Sequence, residues 1–599
     1  MSDIITRLQQ LRKNMKSAGV DIYMIPTADF HDSEYAGTHF AEREFMSGFT
    51  GSAGTLVVTM NEAALWTDGR YFLQAAKQLE GTGIDLMKMG QSDTPEIADY
   101  IYDKLPKKGV LGFDGRTVSA NEGIDLADKL AAKKGTVKYD EDLVDSIWKD
   151  RPPISTEPAF FLPEKYTGRS IGDKLSFVRN FMKEKDCDAY VLTSLDDIAW
   201  LYNIRGNDIP CNPVVMAYSV ILQNKAILFL DERVLNDELR QEFAKNKIKV
   251  KPYNDIYRYV KKFDKGEKVL ADLSRVNYAI FGNIPGGVNI IDEYNPTTLE
   301  KSKKNDTEIA NIKNAHVKDA VAMVKFIYWL KTHIGKEKIT ELSASDYLEG
   351  LRAEQEGFIE ISFTTIAAYN ENAAMLHYEP TKESDTELAP RGFLLVDSGG
   401  QYYEGTTDIT RTIVLGDIPA EWKRDYTLTL KGNMNLANAH FLAGCTGVNL
   451  DILCRAPLWN MGLDYRCGTG HGVGYLLNVH EAPNSFRWKV REGDNAVFEP
   501  GMITTDEPGV YTTNSHGIRI ENEMLCVKDV ENEYGQFLKF EPVTYVPIDK
   551  EAIDIKYLND EDIKQINDYH KMVFEKIASH FSGDELEWLK QACAPLSRF

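Results

Sequence analysis

Charged side chains set inside apolar runs constrain this chain more than any other feature. Asp397 sits in GFLLVDSGG, which reads as a buried strand, and Asp408 follows eleven residues later in GTTDITRTIVLG. A carboxylate in such surroundings costs several kcal/mol unless hydrogen bonds or cations offset it. The intervening GGQYYEG can turn the chain back, so a hairpin brings the two aspartates together. Three more candidates follow. His471 lies in GTGHGVG, where flanking glycines allow close approach to a ligand; Glu507 lies in TTDEPGVY, just before a Pro-Gly turn. Glu521 lies in GIRIENEMLCV, where Ile518 and Ile520 face one side of a strand and Arg519 and Glu521 the other. Singly, each has an ordinary reading as a surface acid, a salt-bridged acid or a turn histidine. Jointly, four carboxylates and one imidazole in the order Asp, Asp, His, Glu, Glu predict a site for two divalent cations. The oxygen-rich set with one imidazole suits Mn²⁺ better than a thiolate-type zinc site, although Zn²⁺, Co²⁺ and Fe²⁺ fit the same donors.

A chain of 599 residues exceeds one hydrophobic core, so two to four domains are expected. No apolar stretch is long enough to span a membrane. The start, MSDIITRLQQLRKNMKSAGVD, has no apolar h-region and reads as an amphipathic helix, so a cytoplasmic location is expected. The seven cysteines are scattered without a CxxC pair, which argues against a disulfide framework or a zinc ribbon. The net charge of -22 argues against nucleic acid as a partner.

The first 150 or so residues alternate β-rich runs (DIYMIPT, GTLVVTM, EAALWTD) with a helical one, RYFLQAAKQL. From about residue 170 the plan repeats, with DKLSFVRNFMKEK leading into DAYVLTS, VVMAYSVIL and KAILFLD. Asp21-Ile-Tyr echoes Asp188-Ala-Tyr, and SGFTG echoes LYNIRG, so two copies of one α/β domain are expected. A Pro-rich segment, RPPISTEPAFFLPEKYTG, marks the first boundary, and a charged run, LEKSKKNDTE, marks the second. Asn305 or Asp306 can cap a long helix there, whose buried stripe is Ile309, Ile312, Ala320, Met323, Ile327 and Leu330. Helices then alternate with hairpins to about residue 545, and the last fifty residues are mainly helical. The expected segments are 1–158, 159–304, 305–545 and 546–599.

The order of the five ligands, the spacing of the aspartates, GTGHGVG, DEPG and GIRIEN resemble the pita-bread metallopeptidases. LWTDGRYFLQA, HYEP, EGTTDITRT, HGVGYLLNVHE, TDEPGVY, GIRIENE and the C-terminal EWLKQ are similar to the long, three-domain aminopeptidase P family, over essentially the whole chain. The fold this resemblance implies is α/β (α+β): two duplicated creatinase-like N-terminal domains, a pita-bread catalytic domain and a helical C-terminal extension. It implies a metallo-exopeptidase that removes an N-terminal residue when proline follows, with peptide substrates and a homodimeric assembly.

Carried over by position, the family's metal ligands fall on Asp397, Asp408, His471, Glu507 and Glu521, with Asp408 and Glu521 bridging two ions. The implied reaction is attack by a hydroxide between two cations about 3.5 Å apart. Glu507 would relay the proton. His377 in MLHYEP and His480 in LNVHEAP would line the substrate pocket and stabilise the oxyanion, and Arg519 would orient a ligating carboxylate. Arg70 would bind substrate in a neighbouring subunit's site, the alternative being a local salt bridge with Asp68. One departure stands out: Cys467 occupies a position, four residues before His471, where the family commonly has histidine. It reads as a plain buried thiol, with a redox-sensitive thiol as the alternative. Two competing functions remain: a prolidase restricted to Xaa-Pro dipeptides, and a catalytically inactive pita-bread binding module.

Overall fold

A computed structural model describes residues 2–491 and 493–598. The chain forms two compact units, one of residues 1–161, 169–210 and 214–297, the other of 162–168, 211–213 and 298–599.

The first unit holds two six-stranded sheets with one shared topology. In the first, the strand order is Asp85–Lys88, Ala63–Thr67, Thr55–Thr59, Ile22–Pro26, Val110–Gly112, Thr136–Lys138. In the second it is Ile248–Lys251, Ala226–Phe229, Tyr218–Leu222, Ala189–Leu192, Lys268–Ala271, Asn289–Asp292. Parallel and antiparallel pairings fall at the same places in both. The echoed aspartates explain part of this identity. The Asp21 carboxylate accepts the Val110 N–H at 2.8 Å, and the Asp188 carboxylate accepts the Lys268 N–H at 2.9 Å. Each aspartate thus fastens its strand to the parallel neighbour that follows it in the sheet. The opening helix, Ser2–Ala18, buries Ile4, Leu8, Leu11 and Met15 on one face, as its period requires.

The second unit opens with the helix Asp306–His333. Asn305 is its cap: the side chain accepts the Thr307 and Glu308 N–H groups, and the Glu308 carboxylate accepts the Asn305 N–H in return. Ile312, Ala320, Met323, Ile327 and Leu330 are buried, and Ile309 is half-buried. Ala320, Met323, Ile327 and Leu330 pack with the three-stranded sheet Ile366–Tyr369, Phe393–Ser398, Ile409–Val414 and with the C-terminal helix Asp560–Ile577. A six-stranded sheet runs in the order His440–Leu442, Gly535–Pro542, Asn522–Asn532, Ile503–Asp506, Gly470–Gly472, Glu481–Phe486. Gly509–Thr512 and His516–Arg519 form a separate pair.

Two expectations change here. Ile518 and Arg519 end one strand and Asn522 begins another in a different sheet, so Glu521 lies at the junction rather than within a continuous strand. Gly400–Tyr402 and Gly405–Thr406, between the two aspartate strands, do not form a simple turn. They pair with each other, and Gly400–Tyr402 also pairs with Phe358–Ile361, in a small sheet of their own. All seven cysteines are free thiols, and no described helix is long and apolar enough to cross a membrane.

Candidate metal centre

The strand Phe393–Ser398 is buried along its whole length and paired on both sides, with Asp397 opposite Ile366 and Thr410. Its apolar residues place it in the core, which carries Asp397 in with it. One oxygen of Asp397 accepts the Arg519 guanidinium through Nε at 3.0 Å and Nη2 at 2.5 Å. The other, Oδ1, is buried and has no hydrogen-bond partner among the described residues. Asp408 immediately precedes the strand Ile409–Val414, and its N–H donates to the Glu523 carboxylate at 2.7 Å. Glu521 is 1% exposed; its N–H donates to the Thr410 carbonyl, and its carboxylate accepts the Thr410 hydroxyl at 2.7 Å.

His471 is the middle residue of the strand Gly470–Gly472. A Cβ on Gly470 would stand 1.9 Å from the Thr505 carbonyl oxygen, and one on Gly472 would stand 2.2 Å from that of Glu481. The glycines therefore serve the neighbouring strands: only a bare backbone lets these come this close to the strand that carries His471, whose N–H donates to the Thr505 hydroxyl. His471 Nδ1 lies 2.9 Å from the Gly472 carbonyl, so that nitrogen carries the proton and donates. Nε2 then faces Asp408 at 3.5 Å and Glu507 at 3.4 Å. Glu507 follows the strand Ile503–Asp506, half-buried, with its N–H on the Thr469 carbonyl and the Thr505 hydroxyl donating to Oε1 at 3.3 Å.

Donor atoms of Asp408, His471 and Glu521 lie within 4.8 Å of one another. The crowding is visible in their acidities. Burial, then the charges of Asp397 and Glu507, push the Asp408 carboxyl up to about 6. Burial, then Asp408, Asp397 and Glu507, hold Glu521 well above the usual carboxylate range. Burial alone would depress His471, but its hydrogen bond to Asp408 and the charges of Glu507 and Asp408 raise it to about 9. These are the marks of excess negative charge in a confined space, which divalent cations neutralise. The unpartnered, buried Asp397 oxygen also fits a cation ligand. Cys467 does not add a thiolate: burial, then the Glu507 charge, push its thiol up to about 12.

The His480 ring stands edge-on to that of His471, with centroids 4.3 Å apart. Arg519 reaches Asp397, the Tyr511 hydroxyl at 2.8 Å and, at 3.5 Å, the Leu376 carbonyl. His377, next along from Leu376, is exposed. Arg70 lies in the first unit, exposed, with Nε and Nη2 on Asp68 at 2.8 and 2.7 Å. Sequence reasoning missed a supporting layer. His316, on the long helix, pairs with Glu523 at 3.2 Å, the same carboxylate that holds the Asp408 backbone. Asp319, one turn on, takes Arg352 at 2.8 Å. Both were legible in principle, being polar residues on the buried stripe, as was Glu523, two residues beyond Glu521.

Residues 7–145 and 150–308 each match a Creatinase/Prolidase N-terminal domain. Residues 310–528 match metallopeptidase family M24, and 536–596 match the C-terminal region of that family. A probable Xaa-Pro aminopeptidase P of Pyrenophora teres f. teres is 40% identical over 99% of this chain and 93% of its own length. Aminopeptidase P1 of Arabidopsis thaliana is 37% identical, with 100% of both chains covered. The crystal structure of an X-prolyl aminopeptidase from Caenorhabditis elegans, a cytosolic enzyme with a di-nuclear active site, is 35% identical. It superposes with a TM-score of 0.93 over 99% of this chain and 100% of that one.

Proposed function

This chain belongs to the Xaa-Pro aminopeptidase P family of M24 metallopeptidases, and from that premise we propose how its side chains serve the reaction. The architecture is two creatinase-type α/β copies, a pita-bread catalytic fold and a helical C-terminal region. The protein is a metallo-exopeptidase that hydrolyses the N-terminal Xaa-Pro bond of peptides.

One observation carries the assignment of the site: Asp408, His471 and Glu521 present donor atoms within 4.8 Å of one another, in a buried cluster where burial and neighbouring charges make both carboxyls weaker acids and where Asp408 and Glu507 make the imidazole a stronger base. Asp397, Asp408, His471, Glu507 and Glu521 would hold two divalent cations, with Mn²⁺ suited to so oxygen-rich a donor set. When bound, these ions supply Lewis acidity at the scissile carbonyl. Glu507 is the proton acceptor for the attacking water, its carboxylate half-exposed and steadied by the Thr505 hydroxyl. Arg519 occupies one oxygen of Asp397 and so turns the other toward the site. The free amine of the substrate binds beside Asp397, which confines cleavage to the first bond. His480 donates to the developing oxyanion, and with His377 it borders the shelf for the proline ring.

The test compares an Xaa-Pro-Yaa peptide, its Xaa-Ala-Yaa twin and an Xaa-Pro dipeptide, before and after chelation and on restoring Mn²⁺. The expected result is cleavage of the proline tripeptide alone, lost with chelator and regained with metal. Preference for the dipeptide would make the protein a prolidase. Cleavage that survives complete metal removal would overturn the assignment, and absence of hydrolysis with metal bound would leave only a binding module.

The assembly we propose is a homodimer acting in the cytoplasm. Its support is exposed apolar surface in the second unit: Trp459 and Trp488 meet edge-on at 6.2 Å, and Ile452, Leu453, Met461 and Val490, near them in sequence, are exposed as well. Two partly exposed indoles in contact form the kind of surface that a second copy covers. Trp488→Glu is expected to convert a dimer into a monomer in light scattering. If Arg70 reaches a neighbouring copy's site, that monomer also loses activity. An unchanged mass would place the interface elsewhere.

A further inference from the structure

The charged run at residues 299–305, LEKSKKN, lies at the second expected boundary, and runs of charge are normally solvated. Two of its lysines are buried instead, both on one carboxylate 180 and 177 residues away. Lys301 Nζ donates to Glu481 Oε2 at 3.1 Å, and Lys304 Nζ donates to Glu481 Oε1. Lys304 also donates to the Val473 carbonyl at 2.6 Å.

These contacts fall at the two ends of one loop. Val473 follows the strand that carries His471, and Glu481 follows His480. Lys304 thereby ties the loop's start to its finish. Its middle is pinned as well, with Gln401 Nε2 and Thr406 Oγ1 donating to the Leu477 carbonyl at 2.8 and 3.3 Å. Within it Leu476 has φ of +48°, a left-handed conformation that a leucine adopts only when its surroundings impose it. Buried ion pairs are a poor way to add stability, since apolar residues of similar volume do as well or better. They fix geometry well, because an ammonium and a carboxylate in a low-dielectric interior attract strongly. The two histidines that flank this loop, His471 and His480, bring their rings together at 4.3 Å.

We propose that Lys301 and Lys304 are positioning residues for the hydrolysis, holding His480 against the reacting carbonyl through Glu481 and the Val473 backbone. The proposal rests on the assignment of His480 as an oxyanion donor. Lys304→Met keeps the volume of the side chain and leaves Glu481 its bond to Lys301. With Mn²⁺ supplied, the full-length variant is expected to fold, to carry the same metal content, and to lose about 30-fold in kcat with KM within about 3-fold of wild type.

The decisive comparison is a double-mutant cycle with His480→Ala. If Lys304 acts through His480, the double variant is no slower than His480→Ala alone. Effects that multiply would overturn the proposal and leave His480 in its role. A His480→Ala variant with wild-type kcat would instead overturn the oxyanion assignment, and the proposal with it. Should Lys304→Met fail to fold, Glu481→Gln enters the same cycle. It keeps the shape of the carboxylate and weakens its hold on both lysines, so it is expected to slow kcat and to be non-additive with His480→Ala. Wild-type kcat in a folded Lys304→Met or Glu481→Gln variant overturns the proposal.

Discussion

Glu507→Gln is expected to fold as the wild type does and to hydrolyse Xaa-Pro peptides about 10³-fold more slowly. Glutamine matches the carboxylate in shape, and its amide oxygen can still accept the Thr505 hydroxyl. The backbone anchor, the Glu507 N–H on the Thr469 carbonyl, does not involve the side chain. What disappears is the capacity to take a proton and one negative charge beside His471. The second loss weakens cation binding, so kcat has to be read at saturating Mn²⁺ with metal content measured in parallel. A folded, metal-loaded variant working at the wild-type rate would remove Glu507 from proton transfer.

Gly470→Ala has an equally large expected effect by a different route. Its methyl would sit 1.9 Å from a carbonyl oxygen of the adjacent strand, and that oxygen belongs to backbone that cannot swing aside. The strand Gly470–Gly472 would have to leave the sheet, at a cost above about 4 kcal/mol. Thermal unfolding and metal analysis are expected to show a protein that is insoluble or much less stable and does not hold metal through His471. Gly350→Ala is the control. That residue lies in the helix Glu341–Ala353 with nothing within 4 Å of its added Cβ, so about 0.5–1 kcal/mol of stabilisation is expected there. Equal behaviour of the two variants would refute the packing argument.

The candidate ligands were legible because carboxylates inside apolar strands are conspicuous against an alternating or continuous hydrophobic pattern. The duplication was legible through Asp21 and Asp188, since short polar side chains that clip a strand to its neighbour recur with the topology they serve. The capping of the long helix was readable to within one residue. The break at Glu521 was not legible, because Ile518, Arg519, Ile520 and Glu521 alternate as one strand would, and only the pairing of the flanking segments with different sheets separates them. The pairing of Lys301 and Lys304 was not legible for a related reason. A cluster of charges is normally exposed, and nothing local announces that Glu481 will arrive from far along the chain. His316 and Asp319 were passed over because a helical stripe is read by its apolar members, while its polar members find partners in other elements.

The five proposed ligands come from separate stretches of the second unit: a central strand, the start of its neighbour, a glycine-bound strand, the end of another, and a junction between two sheets. No contiguous peptide contains more than a fraction of the set, so no partly folded form owns a high-affinity cation site. Ion binding therefore favours the finished fold over every intermediate by its full free energy. The cations that equip the protein for hydrolysis thus also lock its tertiary structure, and scarcity of metal would be felt first as a shorter-lived native state.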